Sequence, residues 1–297
     1  EVIITALKKI IFKDIKLEKI LTDFRKKICI IIAHDRLHIN NKILNFIFAL
    51  AEQCFLNEYI YSCSIEENKF INIIINRCSN SKINEIDIAI IACYLPLYNI
   101  LDKMPILKSF KSSNKSFNNL IKLQIVEPTI EINLSNNIKK VGLIKDNISL
   151  QVKSQYENNP YPRWRYANTS KVIKRSVQER INSAIKPNFI NHIVKNNPLK
   201  VLIAGCGTGQ HILNTQDYKN AEITAIDLCL GSLTYAQRKI NELKIDNVEL
   251  IQMDILEVSL LEEKFDVIEC SGVLHHMNNP SQGLRALVDV LSNNGFL

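Results

Sequence analysis

The chain is 297 residues long, 46% hydrophobic, and carries a formal charge of +7. That length and apolar content are enough for two folded domains, which excludes disorder as a starting assumption, and no apolar run reaches the roughly 18 residues of a membrane span. The charge argues only weakly for nucleic acid because it is uneven: residues 151–200 hold ten Lys and Arg against two Asp and Glu, whereas 201–297 hold six against thirteen.

Nucleic acid is therefore not the expected partner, and the basic stretch is either an attractor for an acidic ligand or a solvated surface. The eight cysteines include no CxxC pair and no histidine at zinc-ligand spacing, so no metal is expected. They read as small buried hydrophobes in a reducing cytoplasm. The chain begins at Glu1 without a leader-like segment, so its start is expected to be missing.

Residues 1–127 read as a helical domain. In "KILNFIFALAEQCFLNEYIYS" (42–62), Leu44, Ile47, Phe48, Ala51, Phe55 and Tyr59 recur at helical spacing. Ser64 and Glu67 form a capping-box pattern before "IEENKFINIII". Pro96 predicts a break within "INEIDIAIIACYLPLYNIL" (83–101), and "KSFKSSNKSFNN" (108–119) predicts a loop. No convincing internal repeat stands out.

Residues 128–198 read as a linker and pre-core segment. Within it, "QVKSQYENNPYPRWRY" (151–166) holds Trp164, the chain's one tryptophan, between Arg163 and Arg165. It is either a proline-stiffened connector whose aromatics pack on a neighbour or a flap over a ligand site.

From 199 the pattern alternates. "LKVLIA" reads as a buried strand, "GCGTG" as a turn and "QHILN" as a helix start; "AEITAID", "NVELIQMD" and "KFDVIECS" are further strands, with helices at "LGSLTYAQRKINELK" and "PSQGLRALVDVLS". Alternation of this kind predicts an α/β Rossmann-like parallel sheet covered on both faces. Of eight glycines, seven lie between 205 and 295. Gly205, Gly207 and Gly209 bare the backbone at the first strand-to-helix turn, where ligands approach such sheets, and Asp227 ends the second strand, where a carboxylate can take both ribose hydroxyls. Gln210 stands where a dinucleotide fingerprint needs glycine, so the spacing favours a nucleoside over a pyrophosphate ligand.

Residues 199–297 resemble the class I S-adenosylmethionine-dependent methyltransferases. "VLIAGCGTGQ" is similar to the family's glycine-rich motif, "AIDLCLGSLTYAQRK" to its second, "MDIL" (253–256) to its third and "FDVIECSGVLHHM" (265–277) to its fourth. The resemblance implies S-adenosyl-L-methionine as cofactor, held by Gly205, Cys206, Gly207, Gly209, Asp227, Leu228, Asp254, Ile255 and Ser271. One departure is Ile203, where the family commonly carries an acid two positions before the first glycine, which puts a contact to the cofactor's methionine end in doubt. The segment "QYENNPYPRW" is similar to one preceding the core in a bacterial subgroup with helical, sometimes tetratricopeptide-bearing N-termini, and there Tyr156 would cover the cofactor; interdomain packing is the alternative. Asn159-Pro160-Tyr161 resembles the NPPY signature of amine-methylating enzymes, but an intact fourth strand after the third argues against a permuted reading.

The expected reaction is methyl transfer to a small-molecule or protein acceptor by alignment of a nucleophile with an already activated methyl group. His275 and His276 are the candidate bases, or else merely pack the following helix. Cys206 and Cys270 read as fillers, and His211 as a helix-surface residue without a role. A non-catalytic nucleoside-binding protein with a degenerate domain is the first alternative, and an NAD-dependent oxidoreductase the second. "LVDVLSNNGFL" is expected to break off where a fifth strand should start, leaving an exposed sheet edge, so that the chain reads as a fragment at both ends. None of these features sets the oligomeric state.

Overall fold

The computed structural model describes residues 1–34, 39–80, 83–158, 160–167, 173–191, 194 and 197–297. They divide into two compact units, Glu1–Ile130 with Pro162–Tyr166, and Glu131–Tyr161 with Ala167–Leu297.

The first unit is built from helices α1 (Val2–Leu7), α2 (Ile15–His34), α3 (Asn41–Leu56), α4 (Ile65–Asn80), α5 (Glu85–Ala92) and α6 (Lys115–Ile121), and the division between units falls within α7 (Glu127–Leu134). In α3, Ile47, Phe48, Ala51 and Phe55 face the core as their spacing predicts. That helix stops at Leu56, before the positive φ of Glu58 and Tyr59. The capping box forms: the Ser64 N–H donates to Glu67 Oε2 (2.8 Å) and the Glu67 N–H to Ser64 Oγ (3.2 Å).

The loop expected over 108–119 is corrected in its second half. Asn114 caps α6 by accepting from the N–H groups of Ser116 and Phe117, and the burial of Phe117 and Leu120 holds a helix whose Ser and Asn content gives no such signal. A π-helical turn, Lys122–Val126, follows, and its buried Gln124 ties the unit together. Gln124 Nε2 donates to the carbonyls of Ala51 (3.0 Å) and Ala92 (3.1 Å), while Oε1 accepts from Leu97 N–H (3.3 Å).

Pro162–Tyr166 belongs to this helical unit. Arg163 pairs with Glu58 and stacks 4.6 Å from the Phe55 ring centroid, Arg165 pairs with Glu52, and Trp164 is buried. Of the two readings of this stretch, packing accounts for these three residues. Asn159 of the NPPY-like tripeptide lies outside the described residues.

The second unit contains β1 (Lys139–Lys140), α8 (Asn147–Asn158), α9 (Val177–Ala184), β2 (Leu199–Ala204), α10 (Gln210–Thr215), β3 (Ala221–Asp227), α11 (Leu230–Leu243), β4 (Val248–Gln252), β5 (Phe265–Glu269), α12 (Pro280–Asp289) and β6 (Leu291–Phe296). The strands form one sheet in the order β1-β4-β3-β2-β5-β6, with every pairing parallel. Alternate residues feed two cores, as the period of a strand requires. Val201, Ile203, Ala225 and Val267 pack with Leu233 and Ala236 of α11 on one face; Leu202, Ala204, Ile226 and Ile268 pack with Leu287 of α12 on the other.

The expectation that the chain breaks off before a fifth core strand is overturned by β6, which pairs with β5 at Phe265↔Leu291 and Val267↔Phe296. Its polar "LSNNGF" lacks strand alternation and is held by the register of its neighbour. β1 adds a further short strand from the stretch read as linker, with Lys139 beside Ile251. The chain runs β2 to β3 to β4 in one direction and then crosses back to β5 on the other side of β2. This places a topological switch point between β2 and β5, the place where open α/β sheets take ligands at the carboxyl ends of their strands.

Candidate active site

The glycine turn connects β2 to α10 at that end of the sheet. Gly205, Gly207 and Gly209 have φ of +78°, +51° and +83°, which side chains rarely tolerate. The turn hangs on β3: the N–H groups of Gly205 and Cys206 both donate to the Ile226 carbonyl, at 2.9 and 3.0 Å. A Cβ at Gly205 would lie 2.3 Å from Val273 Cγ2, and one at Gly209 would lie 2.7 Å from Ala236 Cβ. One at Gly207 would meet nothing within 4 Å. The outer glycines therefore serve packing, and Gly207 faces open space.

Asp227 ends β3 and locks the turn to the next helix. Its Oδ2 accepts from Gly207 N–H (2.8 Å) and its Oδ1 from Cys229 N–H (2.9 Å). Burial, helped by the neighbouring Glu157 carboxylate, holds the Asp227 carboxyl above the ordinary range even against these donors. Leu228 is half-buried, and its carbonyl accepts from Gln252 Nε2 (2.9 Å). At the end of β4, buried Asp254 caps the turn Ile255–Leu261 by accepting from Leu256 N–H (3.0 Å), and Ile255 is buried beside it.

Tyr156 lies on α8, half-buried, and Glu157 is the residue that docks this helix. Glu157 Oε2 accepts from Leu230 N–H (3.0 Å) at the start of α11, where a carboxylate is favoured by the unpaired amides. Gly231 permits the approach, since a Cβ there would lie 2.7 Å from the Glu157 carbonyl oxygen. The "QYEN" segment thus sits against the residues that follow Asp227.

Beyond β5, Ser271, His275 and His276 are exposed, and the two imidazole centroids are 4.0 Å apart on a short 3₁₀ turn. Burial pushes the thiols of Cys206 and Cys270 up, which keeps both protonated and suits them as fillers. All eight cysteines are free; six are buried, Cys270 is half-buried, and Cys63 is exposed, against the reading of the set as buried. Among the described residues, no group of His, Cys, Asp and Glu is placed to hold a metal, and no helix is long and apolar enough to cross a membrane.

Sequence reasoning missed the polar cluster around Glu269, and His211 is not the idle surface residue expected. Its Nε2 lies 2.5 Å from Glu269 Oε2. Glu269 Oε1 accepts from Tyr218 Oη (2.7 Å) and from Arg180 Nη2 (2.9 Å), and Arg180 also pairs with Asp217. Burial alone would raise the Glu269 carboxyl, but His211, Tyr218 and Arg180 outweigh it and hold the group below the usual range. The signal available in sequence was Glu269 as the acid that closes the strand "FDVIE".

Comparison with known proteins agrees with this geometry. A profile described as a methyltransferase domain matches residues 201–295. An uncharacterized protein of Synechococcus is 39% identical over 104 residues, covering 33% of this chain and 24% of that protein. The malonyl-acyl-carrier-protein O-methyltransferase of Priestia megaterium is 29% identical over 126 residues, covering 42% and 43%. Among solved structures, PKMT2 of Rickettsia typhi in complex with AdoHcy aligns at 33% identity over 33% of this chain and 19% of that one, with a TM-score of 0.31. The chain spans about a quarter to under half the length of these curated relatives. Residues 201–295, with their parallel sheet and glycine turn, form a domain of the class I S-adenosylmethionine-dependent methyltransferase family.

Proposed function

We propose that this chain transfers a methyl group from S-adenosyl-L-methionine to a small-molecule or protein acceptor. The observation that carries the proposal is Asp227, whose carboxylate stands at the end of β3 while bonded to the bared N–H of Gly207, the one glycine of the turn beside which a side chain would find empty space. That space and that carboxylate suit a ribose. Asp254 and Ile255 at the end of β4 suit an adenine beside it; Leu228 follows Asp227, Ser271 follows β5, and Tyr156 precedes Glu157, which meets the start of α11.

When bound, S-adenosylmethionine supplies a methyl group already activated on its sulfonium. The protein's contribution is then to hold and orient: the glycine turn admits the cofactor, Asp227 anchors the sugar, and the end of β5 aligns the acceptor. His275 and His276, exposed after β5, are the residues that would take a proton from an acceptor that must lose one. Relatives that share this core are named for different acceptors, a malonyl carrier protein and ubiquinone biosynthesis among them, so the acceptor is set outside the cofactor-binding strands. Six buried cysteines, none of them in a disulfide, suit action in the reducing cytoplasm.

Calorimetric titration of S-adenosylhomocysteine into the chain tests the reading, with Asp227→Ala as control and NADH as competitor. Micromolar binding, lost in the variant and indifferent to NADH, is the expected result. A folded chain that binds NADH in its place would overturn it.

A further inference from the structure

The sheet assigns an end-to-end direction to the cofactor. On the reading above, adenine stands over the end of β4 and ribose over the end of β3. The sheet order β4-β3-β2-β5 then carries the rest of the molecule over the glycine turn toward β5, about 10 Å from β3 across two strand spacings. The methionine end arrives there with an ammonium group, which needs an anion. β2 supplies none at the equivalent height, because that residue is Ile203. Its register partner on β5 is Glu269.

We infer that Glu269 is the carboxylate that binds the cofactor's amino group, a role displaced by one strand from the glycine motif. This inference rests on the methyltransferase reading of the site. Glu269 closes β5 at the switch point, and strand alternation puts its side chain on the face shared by Val267 and Ile203. Its side chain keeps 15% exposure, so the group is held but reachable. Three neighbours fix its orientation: Tyr218, Arg180 and His211.

The Arg180 guanidinium is shared between Glu269 and Asp217, so two carboxylates face one guanidinium. An ammonium group would add a second permanent cation beside that pair of carboxylates. Against the effect of burial, His211, Tyr218 and Arg180 keep Glu269 ionised, as an ammonium ligand requires.

The test compares two ligands that share the adenosine and sulfur but differ in the amino-acid end. S-adenosylhomocysteine carries the amino group; 5′-methylthioadenosine does not. Both are titrated calorimetrically into wild type, Glu269→Gln and Glu269→Asp, with a melting curve for each protein. In Glu269→Gln, affinity for S-adenosylhomocysteine is expected to fall about ten- to hundredfold, the range of a charge-assisted hydrogen bond, with methylthioadenosine affinity unchanged within about twofold. Glu269→Asp, which keeps the charge, is expected to recover part of that loss. Unchanged S-adenosylhomocysteine binding, or an equal loss of both ligands in a folded variant, would overturn the assignment. If Glu269→Gln does not fold, Glu269→Asp decides by the same comparison, a selective loss supporting the assignment and an equal loss refuting it. A wild-type chain that binds neither ligand overturns the site reading, and the assignment with it.

Discussion

The three glycines of the turn are equivalent in backbone and unequal in surroundings, which makes them a sensitive test of how the site is built. Each has a positive φ, so an alanine at any of them incurs a similar left-handed penalty of about 1–2 kcal/mol. The new methyl group then decides. At Gly209 it would lie 2.7 Å from Ala236 Cβ and 3.2 Å from Ala236 Cα, so α11 itself must move. Overpacking of that kind adds about 1–3 kcal/mol. At Gly205 the methyl group would lie 2.3 Å and 3.0 Å from the two methyl groups of Val273 and 3.2 Å from its Cβ, a β-branched side chain that cannot turn clear, and at Gly207 there is no obstacle. Gly205→Ala and Gly209→Ala are therefore both expected to destabilise the domain more than Gly207→Ala. At about 2–4 °C per kcal/mol for a domain of this size, Gly209→Ala melts roughly 2–12 °C below Gly207→Ala. Cofactor binding runs the opposite way. Gly207→Ala is the mildest substitution for the fold, yet it fills the space beside Asp227 and should abolish S-adenosylhomocysteine binding. Circular dichroism melts and calorimetric titration read the two effects separately. A Gly207→Ala protein that melts as low as Gly209→Ala, or binds S-adenosylhomocysteine like wild type, would refute the reasoning.

Two further predictions concern stability. Gln124→Leu removes bonds to two buried carbonyls and strands the Leu97 N–H, an expected loss of about 3–5 kcal/mol; a urea midpoint close to wild type would contradict the role given to Gln124. Because Glu269 is held below the usual carboxylate range, its contribution to stability is complete above the unfolded value near pH 4.5 and is lost as pH falls through the depressed folded value. Glu269→Gln should therefore show a shallower decline in melting temperature below pH 4.5 than wild type, and parallel acid profiles would show that the carboxylate is not so held.

What could be read in the sequence follows from how local each feature's cause is. "LKVLIA" and "AEITAID" match β2 and β3 residue for residue, because both are apolar runs bounded by a polar segment on one side and a turn or an acid on the other. The glycine turn was equally legible, since tolerance of positive φ is a property of glycine itself. β6 was not, because "LSNNGF" carries no strand pattern of its own and owes its conformation to β5. α6 was hidden for a related reason: its cap and its two buried apolar residues outweigh a poor helical composition. The Pro162–Tyr166 stretch was ambiguous because the partners of its arginines, Glu58 and Glu52, lie more than a hundred residues away.

The Glu269 cluster is the extreme case, and it bears on how the absence of an acid at 203 should be understood. His211, Tyr218 and Arg180 are separated from Glu269 by 58, 51 and 89 residues, so no window of sequence contains the group. Taken along the chain, Ile203 is a loss. Taken across the sheet, Ile203 and Glu269 occupy one register level on adjacent parallel strands. A strand spacing of about 4.8 Å is within the reach of a glutamate side chain, so an acid on β5 can serve a ligand lying over the β2 turn. The cost is orientation, since a longer and laterally displaced side chain has more rotamers to lose. The three groups fixed on Glu269 meet that requirement.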